Sequence, residues 1–299
     1  METLSKILNG SSLEELKKLP SNSVNLIITS PPYWKQRQYG DGGLGEEPDP
    51  RDFINNLMPI MAELQRVLKP DGSFYLNMGD SFFNNNGFHR RTTSQEKYGR
   101  KTDHHYKGFK MTKPDGKMLQ IKQLLIVPHR IAIKMEDEQG WILRNDISWV
   151  KNAMPNMGPD RRMTTKENIF HFIKTNKTKI YFDKTHLKEY GHDKDVIYCP
   201  KESYADHQAT FPIDLIVPFI LSSSREGDVV LDPFLGSGTT SVASTLLGRN
   251  SIGIEISKDY CEIAKKNIGL SKRIASLGHD YKNKSEVEEM IKIYKKKRS

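Results

Sequence analysis

Cysteine is nearly absent from this 299-residue sequence: Cys199 and Cys261 are the only two. That excludes a disulfide scaffold and an all-cysteine zinc site, and makes a reducing, cytoplasmic setting the default. No apolar run approaches the roughly 20 residues that cross a bilayer. The opening METLSKILNGSSLEEL holds no continuous apolar stretch of the secretory kind. Neither His104-His105 nor His207 beside Asp206 has a third ligand at metal-site spacing, so no metal is expected. Twelve Phe and twelve Tyr, with 36% hydrophobic residues, argue against wholesale disorder.

What the chain has in excess is positive charge. Forty-six Lys and Arg against 37 Asp and Glu leave +9 at pH 7, and the pI is about 9.3. Such a balance favours polyanionic partners without naming one. Its distribution says more. Between Asn84 and Lys122 ten Lys/Arg stand against three Asp/Glu, a local +7. The stretch 84–117 is polar, basic and dotted with Gly and Tyr, and reads as an inserted loop with a job of its own. A second basic piece, 281–299, reads as a terminal helix with a frayed end. The length suits one large domain, so 1–299 is expected to be a single unit.

Ser12 and Glu15 are spaced as a capping box ahead of a short helix ending near Pro20. VNLIIT (24–29) reads as a buried strand that stops at Ser30-Pro31-Pro32. Asp52 to Leu68 carries apolar residues at helical spacing, Lys69-Pro70-Asp71-Gly72 closes it, and SFYLNM (73–78) follows as a strand. A helix is expected over 119–138, stopped by Gly140, and a strand over 141–150. ENIFHFI and KIYFD, either side of Thr175-Asn176, read as a β-hairpin. The last third alternates helix 212–222, strand 228–232, helix 238–247, strand 251–255 and helix 257–268. That alternation predicts an α/β fold with a mostly parallel, doubly wound sheet.

Two motifs carry chemistry. Asp232-Pro233-Phe234-Leu235-Gly236-Ser237-Gly238-Thr239-Thr240 joins a strand to a helix. Its glycines let the backbone approach a ligand, and the helix start offers free N–H groups. Glu255 ends the next strand, where a carboxylate suits a ribose diol. The loop has no third glycine to complete a dinucleotide fingerprint and no G-K-[ST] for a β-phosphate. The acidic Asp232 would repel a pyrophosphate and suits a cationic or amine-bearing ligand. The second motif is Thr29-Ser30-Pro31-Pro32-Tyr33-Trp34. Its two prolines lack N–H donors, so a hydroxyl (Ser30), a free carbonyl (Pro31) and an aromatic face (Tyr33) converge at a strand end. Such a group suits a planar, amine-bearing ring.

Together these motifs resemble the β-class DNA amino-methyltransferases that use S-adenosylmethionine, in which the catalytic tetrapeptide precedes the cofactor motif. SPPY resembles that family's catalytic tetrapeptide and DPFLGSGTT its cofactor loop. GWILRNDISWVKNAMPN resembles the segment between them, and HQATFP (207–212) the piece that closes over the cofactor's methionine end. The resemblance implies a Rossmann-like methyltransferase fold in circularly permuted motif order. It assigns catalysis to Ser30, Pro31, Pro32 and Tyr33. It assigns cofactor binding to Asp232, Phe234, Gly236, Ser237, Gly238, Thr239 and Glu255, with Thr210 and Phe211 from the closing piece. Serine at the first tetrapeptide position is, in the family, the mark of cytosine-N4 enzymes, so the expected product is N4-methylcytosine in duplex DNA. Adenine-N6 methylation is the runner-up, and an RNA methyltransferase or a catalytically dead nucleic-acid-binding module ranks below it.

The expected partner is double-stranded DNA, reached through Arg90, Arg91, Arg100, Lys101 and Lys151, with a cognate restriction endonuclease as a further partner. Monomer and homodimer both remain open. The family's recognition region corresponds here only to a short stretch, about 184–206, so part of that surface falls to 84–117. Cytosine-C5 chemistry is excluded, because it needs a thiolate nucleophile. Cys199-Pro200 runs in the reverse order from that family's Pro-Cys, and Cys261 lies on an expected helix. Trp149, next to Lys151, reads as core, and Asp80 as either a turn cap or a pocket wall.

Overall fold

Eight strands make up the sheet of the computed structural model, which describes residues 3–35, 43–83, 116, 119–151, 160, 162–200, 211–278 and 283–298. They are β1 (Ser5–Asn9), β2 (Val24–Thr29), β3 (Leu68–Met78), β4 (Ile142–Val150), β5 (Lys166–Ile173), β6 (Val196–Tyr198), β7 (Val229–Asp232) and β8 (Asn250–Glu255). Their spatial order is β1-β8-β7-β2-β3-β5-β4-β6. All neighbours pair in parallel except β5, which runs antiparallel to both β3 and β4.

The helices are α1 (Ser12–Lys17), α2 (Pro50–Val67), α3 (Val127–Gln139), α4 (Lys184–Glu189), α5 (Ile213–Ser223), α6 (Thr239–Leu246), α7 (Lys258–Ala275) and α8 (Lys284–Arg298). The strands sort their side chains by parity, as the pleat requires. Ile27, Phe74, Leu76, Phe170, Phe172 and Leu231 join a core with α1, α2 and α3. Leu26, Ile28, Tyr75, Ile169 and Val230 join the opposite core with α5, α6, α7 and α8. With both faces covered, the central strands are apolar almost without interruption, which is why they were legible as buried strands.

One feature of this order positions the site. From β7 the chain crosses through α6 outward to β8, whereas from β2 it crosses through α2 in the opposite direction to β3. The parallel neighbours β2 and β7 therefore flank a topological switch point. In open α/β sheets, ligands bind outside the C-terminal strand ends at such a point.

The structure corrects several local expectations. The capping box is not made: the N-cap is Ser11, with no side-chain cap bond, and Ser12 Oγ instead donates to the Pro233 carbonyl at 2.6 Å. Residues 179–183 form no strand, so β5 has β3 and β4 as partners in place of a hairpin with KIYFD. Lys69-Pro70-Asp71-Gly72 lies within β3, in a bulge where two steps on β2 oppose five on β3. The third helix starts at Val127, eight residues later than expected, since Pro128 sits in its first turn and Asp80 Oδ1 accepts the Val127 N–H at 3.1 Å. Strands β1 and β6 and helix α4 were not anticipated. The candidate recognition stretch 184–206 begins with α4 and supplies the edge strand β6 as far as residue 200.

Candidate active site

The two sequence motifs leave the sheet side by side. Thr29, fully buried at the end of β2, donates its hydroxyl to Asp232 Oδ1 at 2.6 Å, at the end of β7. Thr240 Oγ1 donates to Asp232 Oδ2 at 2.7 Å, and the Phe234 N–H to Oδ1 at 3.0 Å. Both carboxylate oxygens are thus engaged by protein donors, and Asp232 is 3% exposed. Burial pushes its pKa up to about 6 from 3.8, against the lowering effect of Thr29 and Thr240. Its carboxylate is a strut that locks the glycine loop to the strand carrying Ser30.

The loop itself is a cradle. Gly236 and Gly238 take left-handed φ values of 54° and 91°, which a side chain tolerates poorly. A Cβ at Gly236 would meet nothing within 4 Å, so its position faces open space. Behind the loop a Cβ on Gly253 would lie 2.5 Å from Leu235, so β8 packs against it without room to spare. Glu255 is half-buried and ties the rim: Oε2 accepts the Gly236 N–H and Oε1 the Ser257 N–H, each at 2.8 Å. Burial raises its pKa as well. The hydroxyls of Ser237 and Thr239 are buried yet have no hydrogen-bond partner among the described residues. Orphaned polar atoms of this kind normally find a partner, so the loop is built to receive a polar ligand. Phe234 is half-buried beside it, whereas Phe211 is buried in the second core. Thr210 lies outside the described residues.

The catalytic motif carries a second polar cluster. Ser30 Oγ lies 3.1 Å from the Tyr33 hydroxyl, which donates to Glu167 Oε2 at 2.8 Å and approaches Asn77 Oδ1 at 3.3 Å. Lys151 Nζ pairs with the other Glu167 oxygen, both side chains being largely buried. The Tyr33 ring packs against the backbone at Gly79, where a Cβ would come within 2.8 Å of its Cε2. Burial, then the Glu167 charge, hold the phenol well above its ordinary pKa, so it is a neutral hydroxyl. Lys151, expected to meet DNA, pairs its ammonium with Glu167 over the ring of Trp149. Trp149 is core, its indole N–H donating to the Cys199 carbonyl at 2.8 Å. Asp80 is a turn cap, accepting the Ser81 and Val127 N–H groups. Cys199 and Cys261 are both buried.

Sequence reading missed Glu167, Asn77 and Gly79. Glu167 lies 134 positions from Tyr33, and its only local signal was a charged residue at the start of an apolar strand. Arg90, Arg91, Arg100 and Lys101 lie outside the described residues.

Comparison with known proteins agrees with this layout. A family model described as DNA methylase, covering N6 and N4 methyltransferases, matches residues 24–266. The chain is 38% identical over 267 residues to the type II methyltransferase M.Cfr9I of Citrobacter freundii, covering 86% of this chain and 85% of that protein. Among solved structures, the PvuII cytosine-N4-specific DNA methyltransferase shares the fold at a TM-score of 0.64 and 21% identity. It covers all of this chain and 94% of its own. A DNA modification methylase of Thermus thermophilus, solved in complex with S-adenosyl-L-methionine, superposes at a TM-score of 0.63 with 25% identity over 90% of this chain and 94% of its own. The motif match, the buried tie between the two loops and these similarities converge: the chain belongs to the N6/N4 family of DNA methylases.

Proposed function

We propose that this chain transfers a methyl group from S-adenosylmethionine to the exocyclic N4 of a cytosine flipped out of duplex DNA. The observation that carries it is the juxtaposition of Ser30 and Pro31 with the glycine cradle, on adjacent parallel strands joined by the Thr29–Asp232 bond of 2.6 Å. S-adenosylmethionine, when bound, supplies an electrophilic methyl on a sulfonium. The cradle residues fit its polar parts: the hydroxyls of Ser237 and Thr239 lack partners among the described residues, and Glu255 offers a half-exposed carboxylate at the end of β8. Phe234 would flank it, and Asp232 acts one step back, as the strut of the loop.

An exocyclic amine is a poor nucleophile because its lone pair is delocalised into the ring. If its two hydrogens are donated to Ser30 Oγ and the Pro31 carbonyl, the nitrogen moves towards tetrahedral geometry and the lone pair leaves the ring. The rate then comes from positioning and electrostatics. Tyr33 offers its ring as the stacking surface for a flipped base, and Pro32 fixes the turn between them. No thiolate takes part.

The choice of cytosine rests on the resemblance of Ser30-Pro31-Pro32-Tyr33 to the tetrapeptide of the family's cytosine-N4 branch. The amine edges of cytosine and adenine offer the same donor–acceptor pair, so adenine-N6 is the reading to beat. Mass spectrometry of digested DNA from a host expressing the protein decides. N4-methylcytosine is the expected product, N6-methyladenine would reassign the base while keeping the mechanism, and 5-methylcytosine would refute it.

A further inference from the structure

We infer that Glu167 is a positioning residue that sets the direction of the hydrogen bonds at Ser30, through Tyr33, so that the serine oxygen faces the target amine as an acceptor. The inference rests on the methyl-transfer reading above. An ionised carboxylate only accepts, so Glu167 Oε2, 2.8 Å away, must receive the single proton of the Tyr33 hydroxyl. That phenol oxygen then has only acceptor capacity left for Ser30, 3.1 Å away. Ser30 therefore spends its own proton on Tyr33, and its lone pairs remain for an incoming N–H.

The neighbours enforce the same direction. Asn77 Nδ2 donates to the Asn168 carbonyl at 3.3 Å, which turns its oxygen towards the phenol. A second acceptor, not a donor, thus faces Tyr33. Lys151, which only donates, holds the far oxygen of Glu167. The bare backbone of Gly79 lets the phenol ring lie flat enough to reach the carboxylate. Were the chain reversed, with Ser30 receiving from Tyr33, the serine proton would point into the pocket and meet the amine donor to donor.

A substitution that keeps volume but reverses the chain tests this. In Glu167→Gln the amide oxygen must turn to the Lys151 ammonium, leaving the NH₂ to donate to Tyr33. The phenol proton is then left with two acceptors, Asn77 Oδ1 at 3.3 Å and Ser30 Oγ at 3.1 Å, and the nearer serine takes the larger share. Single-turnover methyl transfer to DNA should slow by about tenfold or more, with S-adenosylmethionine affinity unchanged. Adding Lys151→Met frees the amide to rotate its oxygen back to Tyr33, so the double variant should recover most of the rate. On a Tyr33→Phe background, which lacks the middle hydroxyl, Glu167→Gln should have no further effect. A wild-type rate for folded Glu167→Gln, no recovery in the double variant, or an undiminished effect on the Tyr33→Phe background would each overturn the inference. Failure of the underlying reading looks different: the unaltered protein would methylate no base in DNA.

Discussion

Two carboxylates at the glycine loop, Asp232 and Glu255, were both expected to bind the cofactor, at its amine-bearing and ribose ends, and their surroundings differ. Asp232 is sealed between Thr29 and Thr240, with its folded pKa raised to about 6 from 3.8. A carboxylate raised in the folded state stabilises the fold most when protonated, below about 3.8, and that contribution is lost as pH climbs to about 6. Asp232→Asn keeps an acceptor for Thr29 and Phe234 and removes the titration. Wild-type stability minus variant stability should therefore fall by on the order of 3 kcal/mol between about pH 3 and pH 7, roughly 2 of it between pH 4 and pH 6, and stay flat above. Urea unfolding of both proteins across that range measures it, and a constant difference would mean that the buried charge carries no penalty. Glu255 keeps an exposed edge while holding Gly236 and Ser257. Glu255→Ala should weaken S-adenosylmethionine binding by roughly 1–3 kcal/mol in isothermal titration, and unchanged affinity in a folded variant would remove it from the cofactor site. That both residues matter was legible from a strand end and a glycine spacing. Which of them faces outward was not, because the partner of Asp232 is Thr29, 203 positions away.

At the scale of elements, the last third was legible because its strands and helices alternate with short turns, and each apolar run has one plausible period. The middle was harder. Strand β5 is apolar and stops at a turn signal, so it resembled one arm of a hairpin, yet its partners are non-local: β3 on one side and β4 on the other. Helix α3 was expected too early because residues 119–126 contain Ile121, Leu124 and Leu125 at helical spacing. Ile126 instead takes φ 58°, a strained value for a β-branched residue, immediately before the helix. What holds that start is Asp80, whose Oδ1 accepts Ser81 N–H at 2.8 Å and Val127 N–H at 3.1 Å. Removing the cap with Asp80→Ala should cost about 1 kcal/mol of stability, whereas Asp80→Asn retains the acceptor and should recover most of it. Equal losses in the two variants, read from thermal or urea unfolding, would show that the charge and not the cap matters.

For the whole molecule, the fold explains where chemistry occurs but not how a duplex is held there. Lys151, the one residue within the described structure that was expected to face DNA, is paired with Glu167, and a single cation cannot by itself hold a duplex. Sequence places further positive charge: of a net +9, a local +7 lies between Asn84 and Lys122. We propose that this segment, which follows β3 and the strand-end residues Gly79 and Asp80 in the sequence, supplies phosphate contacts. Each phosphate neutralised by a Lys or Arg releases condensed counterions, so log affinity falls with log salt by roughly 0.9 per contact. Replacing Arg90, Arg91, Arg100 and Lys101 together with Ala should then flatten that slope by about 3 to 4. The loss should apply to specific and non-specific duplexes alike, since phosphates carry no sequence information. Cofactor affinity should stay unchanged. Binding isotherms across a salt series are the measurement. A slope equal to that of the unaltered protein would move the DNA surface to the basic C-terminal helix α8, whose last turn carries Lys295, Lys296, Lys297 and Arg298.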